Sequence, residues 1–153
     1  MSRADKAKEL FMQGYACSQA VGLAFLDDLS MDKQTLTKIL LPFGGGVGRL
    51  RLTCGAVSGM AAIIGLFFAN DVVSPENKKE TYAIVQNLCA KFKEENGSLI
   101  CAELLQGVHV PVEVGGVAEA RTESYYKKRP CSDIVYIATK IVEDYLIETG
   151  KIN

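Results

Sequence analysis

No Cys-x-x-Cys pair occurs in this chain, although it holds 5 cysteines among 153 residues. That absence excludes a thioredoxin-type motif and a zinc ribbon, and the compact ferredoxin spacing is missing too. Histidine is scarce: His109 is the single one, with nothing beside it to pair, so it reads as a loop residue rather than a ligand or base. Neither sign of charge dominates, with 17 Lys and Arg against 18 Asp and Glu and no basic stripe, which argues against nucleic acid as a partner. The stretch from Met1 to Lys8 lacks the apolar segment of a signal peptide. The most apolar run, Cys54 to Ala69, is shorter than the ~20 residues a membrane span needs. A cytoplasmic protein without membrane insertion is expected. A reducing compartment disfavours a permanent disulfide framework and leaves metal binding, redox chemistry or burial for the thiols.

What the chain does have is helical periodicity. Ser2 followed by Asp5 opens a helix that carries Leu10 and Phe11 inward until Gly14 breaks it. Cys17 to Leu29 forms a second, with Val21, Phe25 and Leu29 at helical spacing. Ser30 caps a third, whose stripe is Leu36, Ile39 and Leu40 and which Pro42 stops. After the glycine-rich turn from Phe43 to Arg49 comes the Cys54 helix, ending near Asn70. Ser74-Pro75 starts the next, bearing Tyr82, Val85, Leu88, Cys89 and Phe92, and Asn96-Gly97 ends it. Leu99 to Leu105 makes a short helix. Alternating valines predict a short strand or extended loop over 107–117, kept to an edge by Pro111. Glu119 to Lys128 reads as a polar, solvent-facing helix, and Pro130-Cys131 begins a last one that runs to Gly150. The fold class is all-α: a single helical domain over residues 1–153, bundled around the Cys54 helix. Gly55, Ala56, Ser58, Gly59, Ala61, Ala62 and Gly65 make that helix small around most of its circumference. It is expected to be the most buried element, and its small face suits an intramolecular core and a homodimer seam equally.

The cysteines share a position. Thr53 is a good N-cap, which puts Cys54 in the first turn of its helix, where free amides and the helix dipole favour a thiolate. Arg49 and Arg51 stand nearby. Cys17 and Cys131 also fall at expected helix starts, and Cys101 lies in the first turn opened near Ser98. Core filling has no preference for first turns, so the pattern favours sulfurs that ionise. Cys54 is accordingly expected to titrate below the free thiol value of ~8.5 and to alkylate faster than Cys89, which keeps the place of a buried hydrophobe. The turn Gly44-Gly45-Gly46-Val47-Gly48 lacks the Lys-Ser/Thr of a P-loop and follows a helix rather than a strand. A tight turn that lets backbone approach a sulfur-bound centre fits better. Gly45, Gly46, Arg49 and Gly55 are the candidates to line it.

Four segments together carry a resemblance: Cys17 within Gly14-Tyr15-Ala16-Cys17-Ser18-Gln19, Phe43-Gly44-Gly45-Gly46, Cys54-Gly55-Ala56-Val57-Ser58-Gly59, and Cys101-Ala102-Glu103-Leu104-Leu105, followed by Cys131. The chain resembles the C_GCAxxG_C_C family, to whose members redox activity is ascribed on the strength of their cysteines. The resemblance implies that Cys17, Cys54, Cys101 and Cys131 are the functional set and that Cys89 is an extra. No family motif falls on residues 106–120. Three chemistries remain open for the four thiolates: a redox centre holding an iron–sulfur cluster, a zinc or other metal-binding module, and a metal-free thiol–disulfide couple. The redox partner is not readable.

Overall fold

The structure is a computed structural model describing residues 1–153, and it contains eight α-helices and no strand. The only β pairing is one isolated bridge between Thr53 and Ile100.

Local chemistry explains most helix boundaries. In α1 (Arg3–Met12), Ser2 Oγ accepts the Asp5 N–H at 3.0 Å, and left-handed Gly14, φ +105°, follows its end. In α2 (Cys17–Leu23), the Gln19 side-chain oxygen accepts the Ala16 N–H at 2.9 Å. α2 stops six residues short of the expected Leu29, and a 3₁₀ turn follows at Leu26–Asp28. There Arg3 grips both carboxylate oxygens of Asp28, at 2.7 and 2.8 Å, tying the turn to α1. For α3 (Lys33–Leu40), Asp32 rather than Ser30 is the cap, accepting the Thr35 N–H at 2.8 Å, and Ile39 faces out while Leu36 and Leu40 are buried. α4 (Gly55–Phe68) follows the glycine turn. α5 (Pro75–Asn96) opens on Ser74 and closes on Gly97 at φ +92°, with Leu88 and Phe92 inward and Tyr82 exposed. α6 (Cys101–Gln106), α7 (Glu123–Lys128) and α8 (Cys131–Glu148) complete the fold. Residues 107–117 make no strand: they run as loop, carrying an exposed His109 at φ +61°. The expected helix at 119–128 shrinks to α7.

α1, α2, α4 and α8 pack against one another, with α5 across α4 and α8 and α3 across α2. Phe11, Phe25, Met60, Ile63, Phe92 and Leu146 lie in their common core. α4 crosses that core, but α2 is the more completely buried element. Every α2 residue from Ser18 to Leu23 is enclosed, whereas α4 leaves Leu66 at the surface. The two helices meet closely at Gly59, where a Cβ would come 2.9 Å from Ser18 O and 3.0 Å from Val21 Cβ. Gly55 and Gly59 of α4 thus serve intramolecular contacts, whereas Gly65 has open space around it.

Candidate functional site: a cavity walled by four cysteines

Cys17, Cys101 and Cys131 are the first residues of α2, α6 and α8, and Cys54 is the N-cap of α4. Thr53 is not the cap: it is held in the bridge to Ile100, and the Cys54 N–H donates to Leu99 O at 2.8 Å. The four sulfur-bearing residues line one cavity of about 320 Å³. Gly45, Gly46, Arg49 and Gly55 line it too. Cys89 sits in the middle of α5, packed against the core, and is not part of that wall. All five cysteines are free thiols.

The glycine turn brings backbone to the sulfurs. Residues 45–49 all take left-handed φ between +57° and +73°, and Arg51 does so again at +62°. Val47 and Arg49 are not glycines, and each left-handed L-residue costs roughly 1–2 kcal/mol. The strain is held by hydrogen bonds from Arg49 N to Gly44 O at 3.2 Å and from Arg51 N to Gly45 O at 3.1 Å. A Cβ on Gly46 would lie 2.7 Å from Cys101 Cβ, and one on Gly55 would lie 3.3 Å from Cys17 Cβ and 3.0 Å from Phe43 O. Only glycine fits this close at Gly46.

Arginines supply the charge. Arg49, Arg51, Arg121 and Arg129 line the cavity, against one carboxylate, Glu119. Arg129 pairs with Glu119 at 3.0 Å and Arg49 with Glu113 at 3.7 Å. Arg121 lies over the Phe11 ring at 4.3 Å and the Tyr125 ring at 5.0 Å, donating to Phe11 O and Tyr15 O. Arg49 and Arg51 also tie down the loop over the cavity: Arg51 Nε donates to Glu113 O at 2.8 Å, and Arg49 exchanges backbone and side-chain hydrogen bonds with Gly115.

These surroundings split the thiols. Cys17 and Cys131 act on each other at the cavity wall. The neighbouring Cys17 side chain, with Arg129, Arg121 and Arg51 behind it, holds Cys131 below the ordinary thiol range. The neighbouring Cys131, together with burial, pushes Cys17 well up, so Cys131 is the more readily ionised of the two. Cys54 departs from expectation. Burial pushes it up to about 12, outweighing the opposing pull of the nearby Ala56 and Val57 amides. A helix start is present, yet the Cys54 side chain is too deep for the charge to be tolerated. Burial also raises Tyr125 to about 12.

Four sulfur donors are the right chemistry for a thiolate-held metal centre. No three Cys, His, Asp or Glu side chains, however, gather as a ready site for one ion. The cysteines ring a cavity rather than converge on a point.

A family model described as "Putative redox-active protein (C_GCAxxG_C_C)" matches residues 15–145. The chain belongs to the C_GCAxxG_C_C family. No curated protein and no solved structure matches it. The four cysteines expected from the resemblance, Cys17, Cys54, Cys101 and Cys131, all line the one cavity. Outside the cysteine motifs, Arg121, Tyr125 and Glu119 join the wall without a sequence signal of their own. The one hint is that Arg121, Tyr125 and Arg129 recur every fourth residue just ahead of Cys131, which puts successive side chains on one face if helical. No helix of the chain is long and apolar enough to cross a membrane.

Proposed function

We propose that this family member works by thiol–disulfide exchange, with Cys17 and Cys131 cycling between dithiol and disulfide. The observation that carries this is that Cys17 and Cys131 share one arginine-lined cavity, where Cys17 is the harder and Cys131 the easier thiol to ionise. An exchange couple needs a nucleophile ionised near neutral pH and a second thiol within reach of it. Cys131 is the nucleophile: its thiolate attacks one sulfur of an incoming disulfide and expels the other as a thiolate. Cys17 then gives up its proton and attacks Cys131 Sγ, releasing the second thiol and leaving the Cys17–Cys131 disulfide. Two electrons pass from the protein dithiol to the bound disulfide, which leaves as two thiols.

The test is mild oxidation of the reduced protein with diamide, followed by peptide mapping. A Cys17–Cys131 disulfide is expected, and it should disappear in Cys131→Ser. Oxidation that links Cys54 to Cys101, or that leaves Cys17 and Cys131 unpaired, sinks the proposal.

Four thiols on one cavity wall also support a different occupant, an iron–sulfur cluster or a zinc ion held by Cys17, Cys54, Cys101 and Cys131. Their side chains would have to draw inward, because no three are gathered as they stand. Anaerobic purification with metal analysis and visible absorption separates the cases: sulfur-to-iron bands support a cluster, and stoichiometric zinc supports a metal module.

A further inference from the structure

Arg51 is a buried cation without an anion. Its side chain lies within a residue only 7% exposed, its Nε donates to Glu113 O at 2.8 Å, and its Nη1 points at Cys101 Sγ at 3.6 Å. No carboxylate pairs with it. Nη2 has no acceptor in the protein and is not fully enclosed, and Arg51 lines the cavity. Burying a guanidinium is costly unless it is paired. Arg121 likewise faces the cavity without a carboxylate, while Arg49 and Arg129 have theirs. Two guanidinium groups without a carboxylate leave the cavity a surplus of positive charge. The space is about 320 Å³, at the small end of ligand sites, and Gly116, Ala118 and Glu119 roof it. A disulfide on the face of a folded protein does not reach such a floor, whereas a small molecule does.

We infer that the cavity takes a small disulfide bearing carboxylate groups, with Arg51 as the anchor for a carboxylate beside the Cys17–Cys131 pair. This rests on the thiol–disulfide proposal above and adds the substrate class to it. Arg51 offers the carboxylate the planar fork that favours two-pronged contact, and Arg121 adds long-range attraction. The apolar part of the wall, Leu104, Leu105 and Ile134 among it, receives the methylene arms. The exchange is balanced: the protein dithiol and R–S–S–R give the Cys17–Cys131 disulfide and two R–SH, with carboxylates on R untouched.

Three disulfides with two-carbon arms test it: dithiodipropionate carries carboxylates, hydroxyethyl disulfide is neutral, and cystamine is cationic. Each rate of oxidation of the reduced protein is divided by that disulfide's rate with dithiothreitol, which removes leaving-group differences. The normalised rate for dithiodipropionate is expected to exceed the neutral compound's by about tenfold, with cystamine slowest, and Arg51→Gln should bring the ratios near one. Equal normalised rates in the native protein overturn the substrate class but leave exchange standing. No oxidation by any of the three overturns exchange itself. The anion site is then judged alone, by calorimetry with adipate, which has the carboxylates but no sulfur, against hexanediol. Adipate is expected to bind at least about tenfold tighter than hexanediol, and to lose that advantage in Arg51→Gln. Adipate binding no tighter than hexanediol overturns the inference. The comparisons on native protein hold even if Arg51→Gln does not fold.

Discussion

Cys131 and Cys54 occupy nearly equivalent places, one the first residue of α8 and the other the N-cap of α4, and the fold drives them in opposite directions. Cys131 is half-buried beside Cys17 and faces Arg129, Arg121 and Arg51, and it is pulled down. Cys54 is 6% exposed and is pushed up to about 12. Both stand at helix starts. What separates them is depth and the number of neighbouring cations. A helix N-terminus biases a thiol toward ionisation only where enough solvent or positive charge remains to accept the anion.

The largest expected consequence is alkaline instability arising from Cys54. Its folded pKa of about 12 exceeds the unfolded value of ~8.5, so the unfolded chain loses this proton first. The resulting stabilisation of the folded state is complete below ~8.5 and is lost as pH rises toward about 12, a change on the order of 5 kcal/mol. Cys131 runs the other way: its depressed pKa contributes above the unfolded value and is lost as pH falls through the folded one. Denaturant melts of reduced protein between pH 8 and pH 11 should show falling stability, with a shallower fall in Cys54→Ala. An unchanged slope in that variant would show that Cys54 is not the group responsible.

Crowding at the cavity wall can be set against an open turn in the same way. Gly46 and Gly14 both have left-handed φ, but a Cβ at Gly46 meets Cys101 Cβ and Leu52 N at 2.7 Å, while one at Gly14 meets nothing within 4 Å. Gly46→Ala is expected to lower stability by about 3 kcal/mol, conformational strain and overpacking combined, and Gly14→Ala by roughly 1 kcal/mol. Urea midpoints with unchanged slopes measure both. Equal losses would mean that the wall yields to the methyl group and that the close approach to Cys101 is not tightly set.

Next comes reactivity. With Cys54 at about 12 and Cys131 below the ordinary thiol value, iodoacetamide at pH 7 should label Cys131 about 50-fold faster or more. That figure combines the thousandfold gap in thiolate with the weaker nucleophilicity of the less basic sulfur. Mass spectrometry of each tryptic peptide over time reads it. Comparable rates would remove the distinction on which the exchange mechanism depends.

Which parts of this were legible in the residues follows the range of the forces involved. Helix existence was local, and so was the placement of all four wall cysteines at helix starts: Ser2, Ser74 and Gly97 mark ends within a few residues of where they act. The boundary of α2 was not legible, and the turn that follows it is tied to α1 by the Arg3–Asp28 ion pair, a contact that sequence order does not reveal. The valine alternation over 107–117 suggested pairing, but Arg49 and Arg51 tie Glu113 and Gly115 instead, leaving the segment as a cover. Arg121 looked like a solvent-facing polar residue, and only folding shows it stacked on Phe11 and Tyr125. For Cys54, dipole and neighbouring arginines could be read from sequence order, whereas burial depth is a property of α2, α6 and α8 closing around it.

Cys89 gives the smallest and sharpest comparison. It sits mid-helix with no free amides and no arginine nearby, and burial alone raises it. Cys54 has the Ala56 and Val57 amides in its favour but far less surface. If helix-start amides governed reactivity, Cys54 would alkylate faster. If depth governs, Cys89 leads, because it is only half-buried while Cys54 combines a pKa of about 12 with a nearly closed approach. We expect Cys89 to react faster at pH 7, by about tenfold at most, since its own thiol is raised and the better nucleophile is the more basic one. The two peptides are followed in the same digest as Cys131, so reagent and temperature cancel. Urea below the unfolding midpoint separates access from ionisation: it should raise the Cys54 rate more than the Cys89 rate. Cys54 reacting first in folded protein would place the amides above burial and reverse the order assigned to these sulfurs.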